Sequence, residues 1–188
     1  ILEQTDHSYL YHKTPGNRYF ANAFSYLSKP LLSVSKDDHI YSAQTKNFQI
    51  QILNSDSKLI NRIDYSGRNI SLTQNDLKKS VEDCNKKFDD GICSQMIRDA
   101  GDLPETWPAI ENMLIDDENR LWIATIVEDF DIYEWWVLRE TGEIITKFEW
   151  PRDKPIKVIR NSAVHTLETD PETGLQQVVR YGFELVER

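Results

Sequence analysis

The sequence repeats itself, and this repeat constrains the fold more than any other feature. Residues 31–66 and 110–151 show the same succession of apolar positions, at an offset of 81 residues in their first halves and 85 in their second. Leu32 thus corresponds to Met113, and a longer hairpin at residues 128–131 accounts for the change of offset. In both segments apolar and polar residues alternate, which predicts four short antiparallel strands in each.

A unit of four antiparallel strands in about 40 residues is typical of a β-propeller blade, which buries its faces against neighbouring blades. The sequence therefore predicts an all-β fold, a partial β-propeller of four-stranded antiparallel blades with a short helical insertion between two blades. We assign every part to one propeller domain. The parts are a remnant of a preceding blade with a connecting loop (1–30), a blade (31–66), the helical insertion (67–109), a blade (110–151) and an incomplete last blade (152–188).

The insertion changes from alternation to helical spacing at Thr73. Thr73 and Asp76 resemble a capping box, with aspartate where glutamate is usual. Leu77 and Val81 follow on one helical face, and Gly101 fits the end of a second short helix. Such a segment acts either as a lid over a binding site or as a cover for an edge of the core, and we favour the cover.

Two cysteines, Cys84 and Cys93, lie nine residues apart. They are too few for a structural zinc site and too widely spaced for a Cys-x-x-Cys redox motif. Two interpretations remain, a local disulfide or two free thiols on a helical segment. We favour the disulfide, which fits a protein outside the cytoplasm.

The net charge of −9 argues against a nucleic-acid partner, because an acidic surface repels phosphate backbones. No stretch reaches the ~20 apolar residues of a membrane-spanning helix, so we expect no membrane span. The sequence contains no Gly-x-Gly-x-x-Gly motif, no phosphate-binding loop and no Gly-x-Ser-x-Gly elbow. We therefore expect no cofactor and assign no catalytic residue.

Several segments resemble those of a known family. Residues 107–110 (Trp-Pro-Ala-Ile) and 116–123 are similar to the pattern of proline, short strand, Asp-rich turn and Leu-Trp-Val in bacterial six-bladed β-propeller proteins. Residues 135–142 are similar to the hairpin that follows in these NHL-repeat-like or TolB-like proteins. The resemblance extends over residues 31–185 and implies the C-terminal portion of a larger ring. A chain that was instead complete would expose open blade edges, and two copies would make one ring.

Three side chains are candidates for weak ligand contacts. Trp135 and Trp136 are neighbours on a predicted strand and face opposite sides, so we expect one in the core and take Trp136 as the ligand contact. His165 lies on a later strand, where it is either a ligand in the central channel or structural. Trp107 is a further aromatic residue suited to a sugar or peptide groove.

Two acidic turns, at residues 116–119 and 129–131, are the remaining polar clusters. They lack the order of ligands that defines an EF-hand loop. We interpret them as hairpin turns with solvated carboxylates and assign no metal ligand.

These observations predict a binding or scaffold module, periplasmic or secreted, with a protein or small-molecule ligand. In such folds function depends on the loops and the central channel. The alternative, which the resemblance implies, is a metal-dependent hydrolase or lyase, similar to a lactonase, with its site in the propeller channel. A third role is self-association through open blade edges.

Overall fold

The computed structural model describes residues 8–66, 69–88 and 91–185. They form two compact units, residues 8–29 with 69–88 and 91–108, and residues 30–66 with 109–185. The elements in chain order are β1 (Leu10–Thr14), β2 (Arg18–Asn22), β3 (Pro30–Val34), β4 (Ile40–Gln44), β5 (Gln49–Leu53), β6 (Leu59–Asp64), α1 (Gln74–Asn85), α2 (Ile92–Asp99), β7 (Ile110–Ile115), β8 (Leu121–Ile126), β9 (Ile132–Leu138), β10 (Ile144–Pro151), β11 (Ile156–Arg160), β12 (Ala163–Thr169) and β13 (Gln176–Gly182).

The first unit combines a two-stranded hairpin with the two helices. β1 and β2 pair antiparallel, and β1 packs against α2. At that contact His12 Nδ1 lies 2.7 Å from a carboxylate oxygen of Asp99. The rings of Phe20 and Phe88 meet edge to face with centroids 6.1 Å apart. The assignment of this hairpin to a preceding blade stays a prediction.

Local signals in the sequence determine where each helix starts. The Thr73 hydroxyl accepts a hydrogen bond from the backbone N–H of Asp76, whose carboxylate in turn accepts the backbone N–H of Thr73. Burial opposes ionisation of Asp76, but the hydrogen bonds from Thr73 outweigh it and lower the pKa of this carboxyl. The N-cap of α2 is Gly91, whose φ of 94° is in the left-handed region that glycine adopts without strain.

A disulfide joins the two helices. It connects Cys84, near the end of α1, to Cys93, in the first turn of α2, with the Cα atoms 5.9 Å apart. Both residues are buried, with exposures of 2% and 0%. The bridge therefore fixes the two helices to each other inside the first unit.

The second unit consists of three antiparallel sheets, each made of strands that follow one another in the sequence. We call β3–β6 the first sheet, β7–β10 the second sheet and β11–β13 the third sheet. The last strand, β13, ends at Gly182. Its partner strand β12 begins at Ala163, which pairs with Gly182, so the ladder has no further partner residue.

The second sheet lies between the other two and is buried on both faces. Successive residues of β8 point to opposite sides, so Leu121 and Ile123 pack against the first sheet while Trp122 and Ala124 pack against the third. All six residues of β8 are buried, which explains why all of them except Thr125 are apolar. The partners in the first sheet are Tyr41, Ala43, Ile50, Ile52 and Ile63, and those in the third are Ile156, Ile159 and Val164.

The fold is thus all-β and propeller-like, with four-stranded antiparallel sheets and a short helical insertion between two of them in the sequence. This confirms the predicted fold class. Within residues 8–66, 69–88 and 91–185, no helix is both long and apolar enough to cross a membrane.

We predict that Trp122→Ala destabilises the protein by about 3–5 kcal/mol, because it removes a large buried side chain and leaves a cavity. Trp122 is 1% exposed and contacts the rings of Phe148 and Phe183 at 5.8 and 5.1 Å. Unfolding in denaturant, followed by tryptophan fluorescence and far-ultraviolet circular dichroism, measures this loss. The control Leu175→Ala, at a 69% exposed position, should change stability by less than about 0.5 kcal/mol. Equal midpoints for the two variants would contradict the packing described above.

Replacing both cysteines by alanine should cost about 2–3 kcal/mol, since the bridge closes a short loop and restricts the unfolded chain. Hydrogen exchange of the α1 and α2 amides reports this cost directly. The wild-type protein in a reducing agent is the matched control and should approach the exchange rates of the double variant. Identical protection of the oxidised, reduced and substituted proteins would show that the bridge contributes no stability.

Candidate functional site

Trp136 lies on the face of the second sheet that meets the first sheet. Its neighbour Trp135 points the opposite way and is 2% exposed among the residues packed against the third sheet. Trp136 is only partly buried, at the margin of the core that the first two sheets share. Part of a large aromatic ring is therefore accessible at the margin of this core.

Two rings from the ends of the first sheet hold Trp136 in place. The ring centroids of Phe48 and Tyr65 lie 5.0 and 5.3 Å from that of Trp136. These two residues continue the ladder beyond β5 and β6, since the Tyr65 backbone N–H donates to the Phe48 carbonyl at 3.0 Å. The Tyr65 hydroxyl donates to the carbonyl of Gly142, and burial raises the pKa of this phenol.

Charged groups approach the same indole from two directions. Its Nε1–H donates to Glu134 Oε1 at 2.7 Å, in the plane of the ring. The Lys147 ammonium lies over the ring face, 3.2 Å from the centroid, in a cation–π contact. The hydroxyl of Thr125 donates to the Glu134 carbonyl at 2.9 Å and fixes the backbone there.

These groups line a cleft of about 180 Å³ between the first and second sheets. Pockets for drug-sized ligands measure roughly 300–1,000 Å³, so this cleft has room for a single ring. One half of its lining is aromatic or aliphatic and the other half is polar. The lining includes Phe48, Ser66, Thr125, Glu134, Trp136 and Lys147.

The turn between β9 and β10 sets the register that brings Lys147 to Trp136. Gly142 has a φ of 94°, and a Cβ there would lie 3.4 Å from the side chain of Ile63. The pairing then shifts between Ile144 and Thr146, which places Lys147 opposite Trp136. Sequence reasoning missed Lys147 because an unshifted hairpin would place Thr146 there. It missed Glu134 although the i, i+2 spacing puts this residue on the same face as Trp136.

His165, the second predicted contact, lies on a different face. Its neighbours Val164 and Thr166 point toward the second sheet, so the imidazole points away from it. His165 Nδ1 is buried and has no hydrogen-bond partner among the residues that the structure describes. Trp136 and His165 therefore do not form one site.

Trp107, the third predicted contact, belongs to the first unit and is 8% exposed. Its indole N–H lies 3.5 Å from the Asp76 carboxylate, and its ring meets Tyr26 edge to face at 6.5 Å. Its backbone N–H donates to the Ile70 carbonyl at 2.8 Å. In the structure Trp107 packs the interior of that unit.

The acidic turn at 116–119 differs from the expectation of solvated carboxylates. The Asp116 side chain is fully buried, and its Oδ1 accepts the backbone N–H groups of Glu118 and Arg120 at 2.9 Å. Its Oδ2 accepts Arg120 Nε at 2.6 Å and Trp122 Nε1 at 2.8 Å. Four donors therefore compensate the buried charge, and this carboxylate is structural.

The other carboxylates in the two acidic turns are exposed. Asp117 accepts the backbone N–H of Asn161 at 2.9 Å, and this hydrogen bond lowers its pKa. Asp129 accepts the backbone N–H of Asp131 at 2.9 Å, as in an Asx turn. In the part of the chain that the structure describes, no three His, Cys, Asp or Glu side chains are grouped to hold a metal ion.

No family model matches the chain, and none of the curated proteins compared with it does. Among solved structures, the chain is similar to virginiamycin B lyase from Staphylococcus aureus, with a TM-score of 0.37 and 11% sequence identity. The alignment covers 95% of this chain and 50% of that one, so the chain spans half of that protein's length. This likeness carries no functional assignment.

Asp116→Ala should cost about 3–5 kcal/mol, because it leaves the Arg120 guanidinium with only the exposed Glu118 carboxylate as an ion-pair partner and leaves the buried Trp122 N–H without an acceptor. Arg120 is 18% exposed, so water solvates its charge poorly. Chemical denaturation measures this loss. In the same turn, Glu118→Ala removes a 57% exposed carboxylate 3.0 Å from Arg120 and should cost at most about 1 kcal/mol. A comparable loss in both variants would contradict the structural role of Asp116.

Proposed function

We propose that this chain is a non-enzymatic ligand-binding module of the β-propeller type that works outside the cytoplasm, in the periplasm or secreted. Its ligand is a small molecule with one apolar face, held in the cleft beside Trp136. The single observation that carries the proposal is the convergence of a partly exposed aromatic ring with oriented polar groups in one concave site. Binding pockets have this composition.

The fixed orientation of Trp136 supports a role in binding. Phe48 and Tyr65 pack against the ring, and the hydrogen bond to Glu134 fixes its rotation. A side chain that is already ordered loses little conformational entropy when a ligand packs on it, and this improves affinity. Trp136 remains partly exposed, whereas its strand neighbour Trp135 is 2% exposed.

The disulfide between Cys84 and Cys93 supports a location outside the cytoplasm. Disulfides form and persist in the periplasm and in secreted proteins, whereas the cytosol keeps thiols reduced. The stacked sheets of the second unit and the internal repeat support a place for this module in a larger six-bladed ring.

The test is a titration of the ¹⁵N-labelled chain with a panel of neutral and acidic monosaccharides and free amino acids, followed through the tryptophan indole N–H signals. Single Trp→Phe variants assign the five signals. We expect at least one compound to shift the Trp136 signal while the buried Trp122 and Trp135 signals stay in place.

Two variants separate binding from folding. Trp136→Ala should abolish the response of the remaining cleft residues, whereas Trp150→Phe should preserve it. Trp150 faces the third sheet and donates its N–H to the Lys154 carbonyl at 2.7 Å, so it is a matched tryptophan outside the cleft. A panel that shifts no signal of the cleft in the folded protein would contradict the proposal.

A further inference from the structure

The strand β13 forms a free edge of the third sheet. β12 pairs with it on one side, and no strand pairs with its other side among the residues that the structure describes. The first and second sheets each have four strands, whereas the third sheet has three. A free edge exposes backbone N–H and C=O groups that can pair with a strand of another chain.

The hydrogen bonds to β12 show which residues of β13 are already paired. The N–H of Phe183, directly after β13, donates to the carbonyl of Ser162, directly before β12, at 3.0 Å. Hydrogen-bonded and non-hydrogen-bonded pairs alternate along an antiparallel ladder. Every second residue before Phe183, namely Tyr181 and Val179, therefore bonds to β12 as well.

The residues between these direct their backbone groups to the free edge. They include Val178, which is 72% exposed, and Arg180, which is also exposed. Tyr181 packs toward the second sheet, so the side chains of Val178 and Arg180 lie on the opposite face of the third sheet. The free edge thus combines unpaired backbone groups with one apolar and one cationic side chain.

The other edge strands of the second unit carry features that hinder pairing with another chain. Bulges twist an edge away from a partner, and proline removes a backbone donor. The pairings of β6, β7 and β11 each contain a register shift, β3 begins with a proline, and β10 has both a register shift and a terminal proline. The seven residues of β13 include no proline and pair with β12 in one continuous register. Among these edges β13 is therefore the one suited to an added strand.

The sequence of β13 is suited to pair with a second copy of itself. An antiparallel arrangement about a two-fold axis at Val179 pairs the whole of Gln176–Gly182 in both copies. It places Val178 directly opposite Arg180 of the second copy, so the two arginines do not face each other. Both residues have their backbone groups directed at the partner, as the hydrogen-bonded pairs of an antiparallel ladder require.

We propose that two copies of this chain associate edge to edge through β13 and join their third sheets into one continuous antiparallel sheet. This inference goes beyond the proposed ligand binding and does not involve the cleft beside Trp136. The contact is isologous, so it closes at a dimer. The net charge of −9 on each copy opposes association at long range. At an ionic strength of about 0.15 M, charges more than about 8 Å apart are largely screened.

Sedimentation equilibrium of the full chain, from micromolar to millimolar concentration, measures this association. We expect the average mass to rise from that of one chain toward that of two. Hydrogen exchange followed by NMR in the same samples locates the contact. The amides of Val178 and Arg180 should exchange more slowly as the dimer forms, whereas those of Val179 and Tyr181 should be protected at every concentration.

Charge variants on the exposed face make the test specific. Val178→Lys should weaken the dimer at least about tenfold, because like charges then lie opposite each other at two symmetric positions. Adding Arg180→Glu to Val178→Lys should restore association, since opposite charges then face each other. The matched control Val158→Lys makes the same change at an exposed valine of β11 and should leave the dimer unchanged. Far-ultraviolet circular dichroism checks that each variant is folded.

Three results would overturn the proposal. The first is a chain that stays monomeric at millimolar concentration. The second is slow exchange of the Val178 and Arg180 amides in the monomer, which would mean that the same chain covers this edge. The third is a dimer that Val178→Lys weakens no more than Val158→Lys does, because the contact would then lie elsewhere. None of these results changes the proposal of ligand binding beside Trp136.

Discussion

The second sheet is apolar on both faces, and the rest of the second unit depends on this property. A single antiparallel sheet with one polar face needs one covering layer, whereas a sheet buried on both faces needs two. Leu121 and Ile123 on one side, and Trp122 and Ala124 on the other, supply the driving force for both contacts. Burial of each large side chain contributes about 1.5–3 kcal/mol, so each interface gains more from this one strand than any surface ion pair could supply.

Two carboxylates of the second sheet and its turn accept hydrogen bonds from indole N–H groups, one in the interior and one beside the cleft. Asp116 accepts the N–H of Trp122 at 2.8 Å in the interior, and Glu134 accepts that of Trp136 at 2.7 Å beside the cleft. In the interior the hydrogen bond prevents the penalty of an unsatisfied donor and so supports packing. At the cleft the same chemistry orients a ring whose face remains partly exposed. The two indoles thus differ in their burial rather than in the type of contact that their N–H groups make.

The sequence predicted the elements much better than the site. Alternation located the strands of all three sheets, and the capping box at Thr73 located the start of α1, because both signals are local. Trp136 was singled out from its position beside Trp135 on one strand. Its partners Phe48 and Tyr65 come from another sheet, and no local pattern reports which rings meet across an interface. Lys147 faces Trp136 only because the pairing shifts by one residue after Ile144, and a bulge of this kind leaves no periodic signal.

The burial of the second sheet on both faces also governs how freely its sequence can change. A new side chain at Leu121 must fit the closely packed residues of the first sheet. One at Trp122 must fit those of the third sheet. The equivalent positions on the outward face of the first sheet carry less restriction, since Leu32 is 62% exposed whereas its counterpart Met113 is 3% exposed. Two segments with the same apolar pattern are therefore under unequal packing constraint in this structure.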